Sequence, residues 1–418
     1  DSQSTMGCIK ADGTLWTWGY GVQGALGHGN TTTYSSPVQV GARTDWSSLA
    51  VGNNVSLFLD ADGILWAAGS GGTDGRLGTG EISVNHSSPV QVGNHSPYSK
   101  IHSGNFGCHA ITEDGKMWGW GDASPQGQLG DGTTVDKSFP VQIGTATNWV
   151  QVAGGTTVTH AIDSDGKLWS WGNGSGGALG HGNLTDLSVP TQVGALTDWS
   201  QLGGSGDHMF MIKTNGTLWA VGDGLLGGLG DGSAVSKSSP VQIGALTTWA
   251  QVTGGNAFAG AVKTDGTLWM WGYNGDGRLG DSSTVTKSSP VQVGALTDWA
   301  EVRCGQAHTV ALKTDGTLWS WGSSSGNLGQ LGTGSDVTVS SPVQIGALTD
   351  WASLSLTGVH GNHTIAKKTD NTVWVFGRNL SGELGNGATA NLSSPVQIGS
   401  AGEFGAVTGG LYTSFAIK

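Results

Sequence analysis

Three residue series sharing one period constrain this chain more than any other feature. A tryptophan that follows a turn and an aliphatic residue recurs at Trp16, Trp66, Trp118, Trp169, Trp219, Trp269, Trp319 and Trp374, with separations of 50, 52, 51, 50, 50, 50 and 55. Proline recurs in step at Pro37, Pro89, Pro140, Pro190, Pro240, Pro290, Pro342 and Pro395. The third series is Trp46, Tyr98, Trp149, Trp199, Trp249, Trp299, Trp351 and Phe404. A common period of about 50 residues marks a repeat architecture, in which each unit buries its apolar face only against its neighbours. Length alone suggests two or three domains. The repeat instead predicts a single domain over residues 1–418.

Each unit reads as four short strands. In the unit from Trp299 to Gly346 the first strand is Trp299–Val302 and the second His308–Lys313, ending at Asp315-Gly316. An Asp-Gly pair between apolar runs signals a hairpin whose turn tolerates positive φ. The third strand is Thr317–Gly322, with Leu318 facing one neighbouring blade and Trp319 and Trp321 the other, both faces buried. After a glycine-rich loop, Pro342–Ile345 makes the fourth strand, and a proline at its start fits an outer edge. Four antiparallel strands repeated about an axis make an all-β propeller. Eight third strands predict eight blades. The chain opens inside a second strand, Met6–Lys10, and ends with a first strand near Ala406 and a second at Ser414–Lys418. Pairing of the terminal strands is expected to close the ring, leaving one second strand surplus.

The string Asp315-Gly316-Thr317-Leu318-Trp319-Ser320-Trp321-Gly322, followed by Gly329-Gln330-Leu331-Gly332-Thr333-Gly334, resembles the regulator of chromosome condensation repeat. The Gly305-Gln306-Ala307-His308 step before an apolar strand fits the same pattern, and the resemblance covers essentially the whole chain. It implies a propeller, usually seven-bladed, so a seven-bladed ring with one extra unit is the alternative to eight. The family includes a nucleotide-exchange factor, a plant light receptor and an inhibitor of β-lactamases. The regular Ser-Ser-Pro-Val-Gln and Thr-Asp-Trp units resemble bacterial and bacteriophage members.

Charge narrows the partners. Lysine and arginine total 18 against 30 acidic residues, a formal charge of −12, with charged residues only 11% of the chain. Such a surface attracts neither phosphate backbones nor anionic lipid headgroups, so no nucleic acid is expected as a partner. No apolar run approaches the ~18 residues of a membrane span, and no membrane insertion is expected. Cys8, Cys108 and Cys304 have no Cys-x-x-Cys spacing and read as small core residues.

Catalytic chemistry needs residues that break the repeat and converge. His208, His308 and His363 instead share one repeat position, where they are expected to satisfy backbone groups. His28 and His181 share another, in a loop expected to be exposed, without any short-range metal-ligand pair. Asp60-x-Asp62-Gly63 and Asp163-x-Asp165-Gly166 start like calcium loops but lack the terminal glutamate and align with hairpin turns. No catalytic residue, cofactor or metal site is expected. The sequence favours a non-enzymatic binding or structural module whose partner is a protein or surface glycan, within a larger assembly at a cell surface or virion. A soluble regulator of one protein is the alternative. Candidate contacts are loop aromatic and charged residues where units differ: Tyr20, Arg76, Asp122, Tyr273, Arg278 and Arg378. Loops around Leu328 and Val359–Asn362, where the spacing is longest, are further candidates.

Overall fold

The computed structural model describes residues 5–409 except 53, 96, 105–106, 124, 155–156, 206–207, 325, 327, 357–360 and 401–403. They form eight four-stranded antiparallel sheets, the blades of an eight-bladed propeller. Blades 1 to 8 are numbered by their third strands: Leu15–Gly19, Leu65–Gly69, Met117–Gly121, Leu168–Gly172, Leu218–Gly222, Leu268–Gly272, Leu318–Gly322 and Val373–Gly377. The only helical pieces among the described residues are single 3-10 turns at Val22–Gly24, Ser175–Gly177 and Leu225–Gly227.

The hairpin between second and third strands shows why the Asp-Gly-Thr-Leu-Trp string repeats. In blade 7 the Lys313 amide donates to Thr317 O and the Gly316 amide to Lys313 O, a three-residue loop. Gly316 alone is left-handed, at φ 76°, so the turn is a type I turn with a glycine bulge rather than a two-residue turn. A Cβ on Gly316 would also lie 2.2 Å from Thr349 O. Asp315 Oδ1 accepts from the Thr317 amide and hydroxyl at 2.9 and 2.6 Å, and Thr317 Oγ1 accepts from Trp319 Nε1 at 2.8 Å. Each member of the string holds the next.

The two tryptophans of the third strand part company. Trp319 and its equivalents are half-buried, whereas Trp18, Trp120, Trp171, Trp271 and Trp321 are wholly buried. The expectation that both would be buried fails for the first, because its indole caps the hairpin end of the blade. There Lys313 covers it, the ammonium 4.5 Å from the ring centroid. The second tryptophan locks blades together. Nε1 of Trp120, Trp171, Trp271 and Trp321 donates to the carbonyls of Arg76, Gln128, Gly228 and Arg278 in the preceding blade, at 2.9–3.1 Å.

The fourth strand of blade 7 runs Val339–Gln344, so Pro342 lies inside it rather than at its start. The strand is the outer one of its sheet, and a register shift between Ser320 and Gly322 marks a bulge beside it. An edge position lets proline omit its N–H without breaking a ladder bond. The first strands are the inner edges, since neighbouring blades pack first and second strand against first strand around the ring. Polar side chains cover those exposed edges. Gln251 Oε1 accepts from the Val302 amide at 3.1 Å, and Glu301 Oε2 from the Leu354 amide at 3.2 Å. This explains a polar residue in the third place of the first strand.

Thr5–Lys10 pairs with Leu15–Gly19 on one side and with Phe404–Gly409 on the other. Blade 1 thus takes three strands from the start of the chain and one from its end. The seam from blade 8 to blade 1 carries the same locks as the interior seams. Trp18 Nε1 donates to Glu383 O at 2.9 Å, and the Gly387 amide to Ser35 O at 2.6 Å, as the Gly232 amide does to Ser288 O at 2.7 Å. Gly382, at φ 76°, packs so closely on Ser35 that a Cβ would meet its Cα at 2.7 Å. The second strand expected at Ser414–Lys418 lies outside the described residues.

Candidate interaction face

Loops joining first to second strands and third to fourth strands share one face of the disc. The hairpins lie on the other, since the Trp351 amide of the next blade's first strand bonds Gly316 O. All six candidate contacts fall on the first face, at two repeat positions. Tyr20, Asp122, Tyr273 and Arg378 follow the glycine that ends the third strand, and Arg76 and Arg278 precede a Leu-Gly pair.

The structure brings two of them together. Arg278 lies 4.7 Å from the Tyr273 ring and 5.3 Å from Phe258, and its guanidinium pairs with Asp276. Nη1 donates to Asn256 O at 3.4 Å and to Gln306 O at 3.2 Å, joining the loops of blades 6 and 7. Arg278 is only 6% exposed. It is therefore not the presented loop side chain that the sequence suggests, and removing it would loosen a seam rather than trim a surface. A loop position adjoining a blade seam is indistinguishable in sequence from one facing solvent. Tyr20 and Asp122, in blades 1 and 3, are half-buried. Arg76 pairs with Asp74 in blade 2, and Arg378 lies 3.8 Å from Glu383 in blade 8.

A polar arc continues from Arg278 across blades 7 and 8. Asn362 Nδ2 donates to Gln306 Oε1 at 2.7 Å, and the Arg378 amide donates to Asn362 O at 2.9 Å. Beneath it sit His308 and His363, 0% and 2% exposed. Burial first, then the neighbouring Arg278 charge, lowers the His308 pKa to about 4. Burial, Arg378 and His308 lower that of His363 to about 3. Among the described residues the expected bonds to backbone groups are not made by His308 or by His363 Nε2. Neither ring nitrogen of His308 has a hydrogen-bond partner among the described residues, and His363 Nε2 lies 3.3 Å from Met6 Sδ. Of the long-spacing candidates, Leu328 is half-buried, Gly361 and Asn362 belong to the arc, and Val359 and His360 lie outside the described residues.

Two asparagines escaped the sequence reading. Asn274 and Asn379 are wholly buried and pin the loops of blades 6 and 8. Asn274 Nδ2 donates to Asp281 Oδ1, Ser283 O and Val285 O at 3.0–3.2 Å, and its Oδ1 accepts from the Leu279 amide at 3.0 Å. Asn379 repeats the pattern with Asn386, Ala388, Ala390 and Leu384. The available signal was an asparagine two places after the third-strand glycine in both units. Leu380, next to Asn379, is 59% exposed, an apolar side chain on a rigid loop.

The remaining polar candidates are engaged internally. His28 and His181 are half-buried rather than exposed. Their Nε2 atoms lie 2.9 Å from the hydroxyls of Thr17 and Ser170, which themselves donate to backbone carbonyls. Burial lowers both pKa values. Asp60 accepts from Ile64 N, Trp66 Nε1 and Arg43, and Asp163 from Asp165 N, Lys167 N and Trp169 Nε1. Both carboxylates serve the hairpins. Among the described residues no three histidine, cysteine or acidic side chains gather as a metal-binding group. The three cysteines are buried thiols.

An eight-fold blade repeat with these locks defines a propeller built from one recurring sequence motif. The profile of the regulator of chromosome condensation (RCC1) repeat matches residues 12–59, 114–162, 165–212, 265–312 and 315–366, more than half of the chain, and a second profile of that repeat matches 299–330. The chain belongs to the RCC1 repeat family. It is 32% identical to human E3 ubiquitin-protein ligase HERC2 over 178 residues, 40% of this chain and 4% of that protein. It is 31% identical to the Arabidopsis thaliana ultraviolet-B receptor UVR8 over 175 residues, covering 40% of this chain and 39% of the receptor. The matched part thus spans at most about two fifths of these relatives. Among solved structures, human WBSCR16 superposes with a TM-score of 0.65 at 18% identity, covering 96% of this chain and 98% of that one. Saccharomyces cerevisiae Prp20p gives 0.60 at 21% identity over 82% and 89%. These two likenesses concern the fold.

Proposed function

We propose that the chain is a non-enzymatic protein-binding module acting through the loop face of blades 6 to 8. One observation carries this reading: in these loops buried Asn274, Asn379 and Arg278 pin the exposed segments through side-chain hydrogen bonds. A preorganised loop loses little entropy on binding. Exposed Leu380 and half-buried Tyr273 are the side chains positioned for contact, since apolar and aromatic groups carry interface energy when desolvated. Prp20p is described by its binding to Gsp1p and histones, which makes regulation of a single globular protein the class of activity to try first. The net charge of −12 does not favour a basic partner such as a histone. The finer reading adds placement in a larger assembly at a cell surface or virion.

Cross-linking mass spectrometry on the protein in its source tests the face. Cross-links are expected on the blade 6 and blade 8 loops. Leu380→Asp or Tyr273→Ala should weaken the captured interaction about tenfold or more, near 1.4 kcal/mol, without moving the melting temperature. Contacts mapping to the hairpin face, or unchanged affinity in both variants, would refute it. Sedimentation with an envelope or particle at fixed stoichiometry supports the finer placement, and a species that sediments free of any such particle contradicts it.

A further inference from the structure

The repeat is also broken at the rim, at the seam of blades 1 and 2, on the opposite side of the ring from blades 5 and 6. A groove of about 370 Å³ lies between blades 1 and 2, lined among others by Asn30, Tyr34, Gln39, Arg43, Trp66 and Pro89. That volume is within the range of small-molecule sites. Tyr34 stands at a variable position, held in the other units by His86, Lys137, Leu187, Lys237, Lys287, Val339 and Leu392, whereas Arg43 stands where four later units place Leu196, Leu246, Leu296 and Leu348. A departure from the repeat, Arg43, and the one aromatic phenol at a variable position, Tyr34, therefore meet in one groove.

Its chemistry is aromatic and hydrogen-bonding, with no uncompensated positive charge. The Arg43 guanidinium is held by Asp45 and Asp60 at 2.8 and 2.7 Å and lies over the Trp66 ring at 4.8 Å. Two carboxylates already compensate that charge, so an anion gains little here. Asn30 Nδ2 donates to Tyr34 Oη at 3.0 Å, which leaves the phenol free to donate. Gln39 adds a planar amide. Pro37 on the bordering edge strand lacks an N–H, which disfavours an added peptide strand. Planar polar groups beside aromatic rings suit a neutral polyol, whose hydroxyls both donate and accept and whose C–H faces are apolar.

The next seam repeats the arrangement. A second groove, of about 410 Å³, is lined by Gln91, Asn94, His95, Phe139 and Pro140 among others. Phe139 is 56% exposed, and His95 stacks on Trp118 with centroids 3.7 Å apart. We propose that the two rim grooves at the seams of blade 2 form a glycan-binding site for successive neutral sugar units. This site is independent of the protein-binding face.

Calorimetry and saturation-transfer NMR with neutral gluco-, manno-, galacto- and N-acetylglucosamine oligomers test it. Saturable binding is expected, tighter for oligomers than for the matching monomer. Tyr34→Ala and Phe139→Ala should each weaken it about tenfold. Tyr34→Phe, which keeps the ring and loses the hydroxyl, guards against a folding artefact and should show a smaller loss at an unchanged melting temperature. Failure of every oligomer to bind, affinity that survives both alanine variants, or saturation of the grooves by a proline-rich peptide instead would overturn the proposal.

Discussion

Acidification from pH 7 to pH 5 is expected to remove most of the propeller's stability, well before ordinary carboxylates titrate. Five histidines are almost wholly buried: His102, His109, His160, His308 and His363, none more than 4% exposed. Burial is the first cause of depression in each, with pKa values of about 3, 4, 4, 4 and 3 in that order. The charges that act on them are His109 on His102, His181 on His160, Arg278 on His308, and Arg378 and His308 on His363; all oppose protonation. In the unfolded chain each would titrate near 6.5. Between about pH 6.5 and pH 4 the unfolded state therefore binds more protons, and stability falls as pH falls. At pH 5 each histidine removes about 2 kcal/mol, and five together approach 10 kcal/mol, comparable with a typical folding free energy of about 5–15 kcal/mol. The hairpin carboxylates Asp12, Asp315 and Asp370 are held below the usual range, first by threonine hydroxyls. Their contribution disappears only at lower pH. Denaturant titrations at pH 7, 6 and 5 should show a steep decline, shallower in His308→Gln. A flat profile would mean that these imidazoles are not held neutral.

Deleting residues 1–11 is expected to cost at least about 5 kcal/mol and to end cooperative melting. Thr5–Lys10 is the middle link between Leu15–Gly19 and Phe404–Gly409, so both ladders vanish with it. Met6, Cys8 and Ile9 are 0%, 0% and 7% exposed. Burial of side chains of Met or Ile size contributes about 1.5–3 kcal/mol each. Their loss also uncovers the cluster of Trp18, Ile365, Val373 and Val375 between blades 8 and 1. Calorimetry and dye binding check this. A truncated chain that melts as sharply as the full one, at a similar temperature, would show that the ring does not depend on that strand.

The blade count and strand order were legible because they follow from periodicity, and tryptophan, proline and Asp-Gly mark it redundantly. The inner boundaries were less so. Thr317 reads as strand but serves the turn, and Pro342 reads as a strand start although the strand begins at Val339, because the bulge opposite Gly322 leaves no mark in sequence. Nor did sequence separate Trp319 from Trp321, which are identical in chemistry and two places apart, yet one caps a hairpin and the other locks a seam. The interaction face was legible as loops and not as a site. Arg278 reads as a contact because it is an arginine in a loop where units differ, but its neighbours Asn256 and Gln306 are 22 and 28 residues away along the chain. Asn274 carries no mark in sequence because asparagine is common in this chain, and only its side-chain hydrogen bonds reveal its role.

Ring closure by strands from the two ends of the chain is the central claim, and one disulfide tests it. Cys8 stands opposite Val407 in the antiparallel register, and facing residues of such a pair have Cα atoms about 4.5–5.5 Å apart, within disulfide reach. In Val407→Cys, mild oxidation should give a peptide linking Cys8 to position 407, with Cys108 and Cys304 left as thiols. Absence of that link in the folded protein, or pairing of position 407 with another cysteine, would contradict the closure.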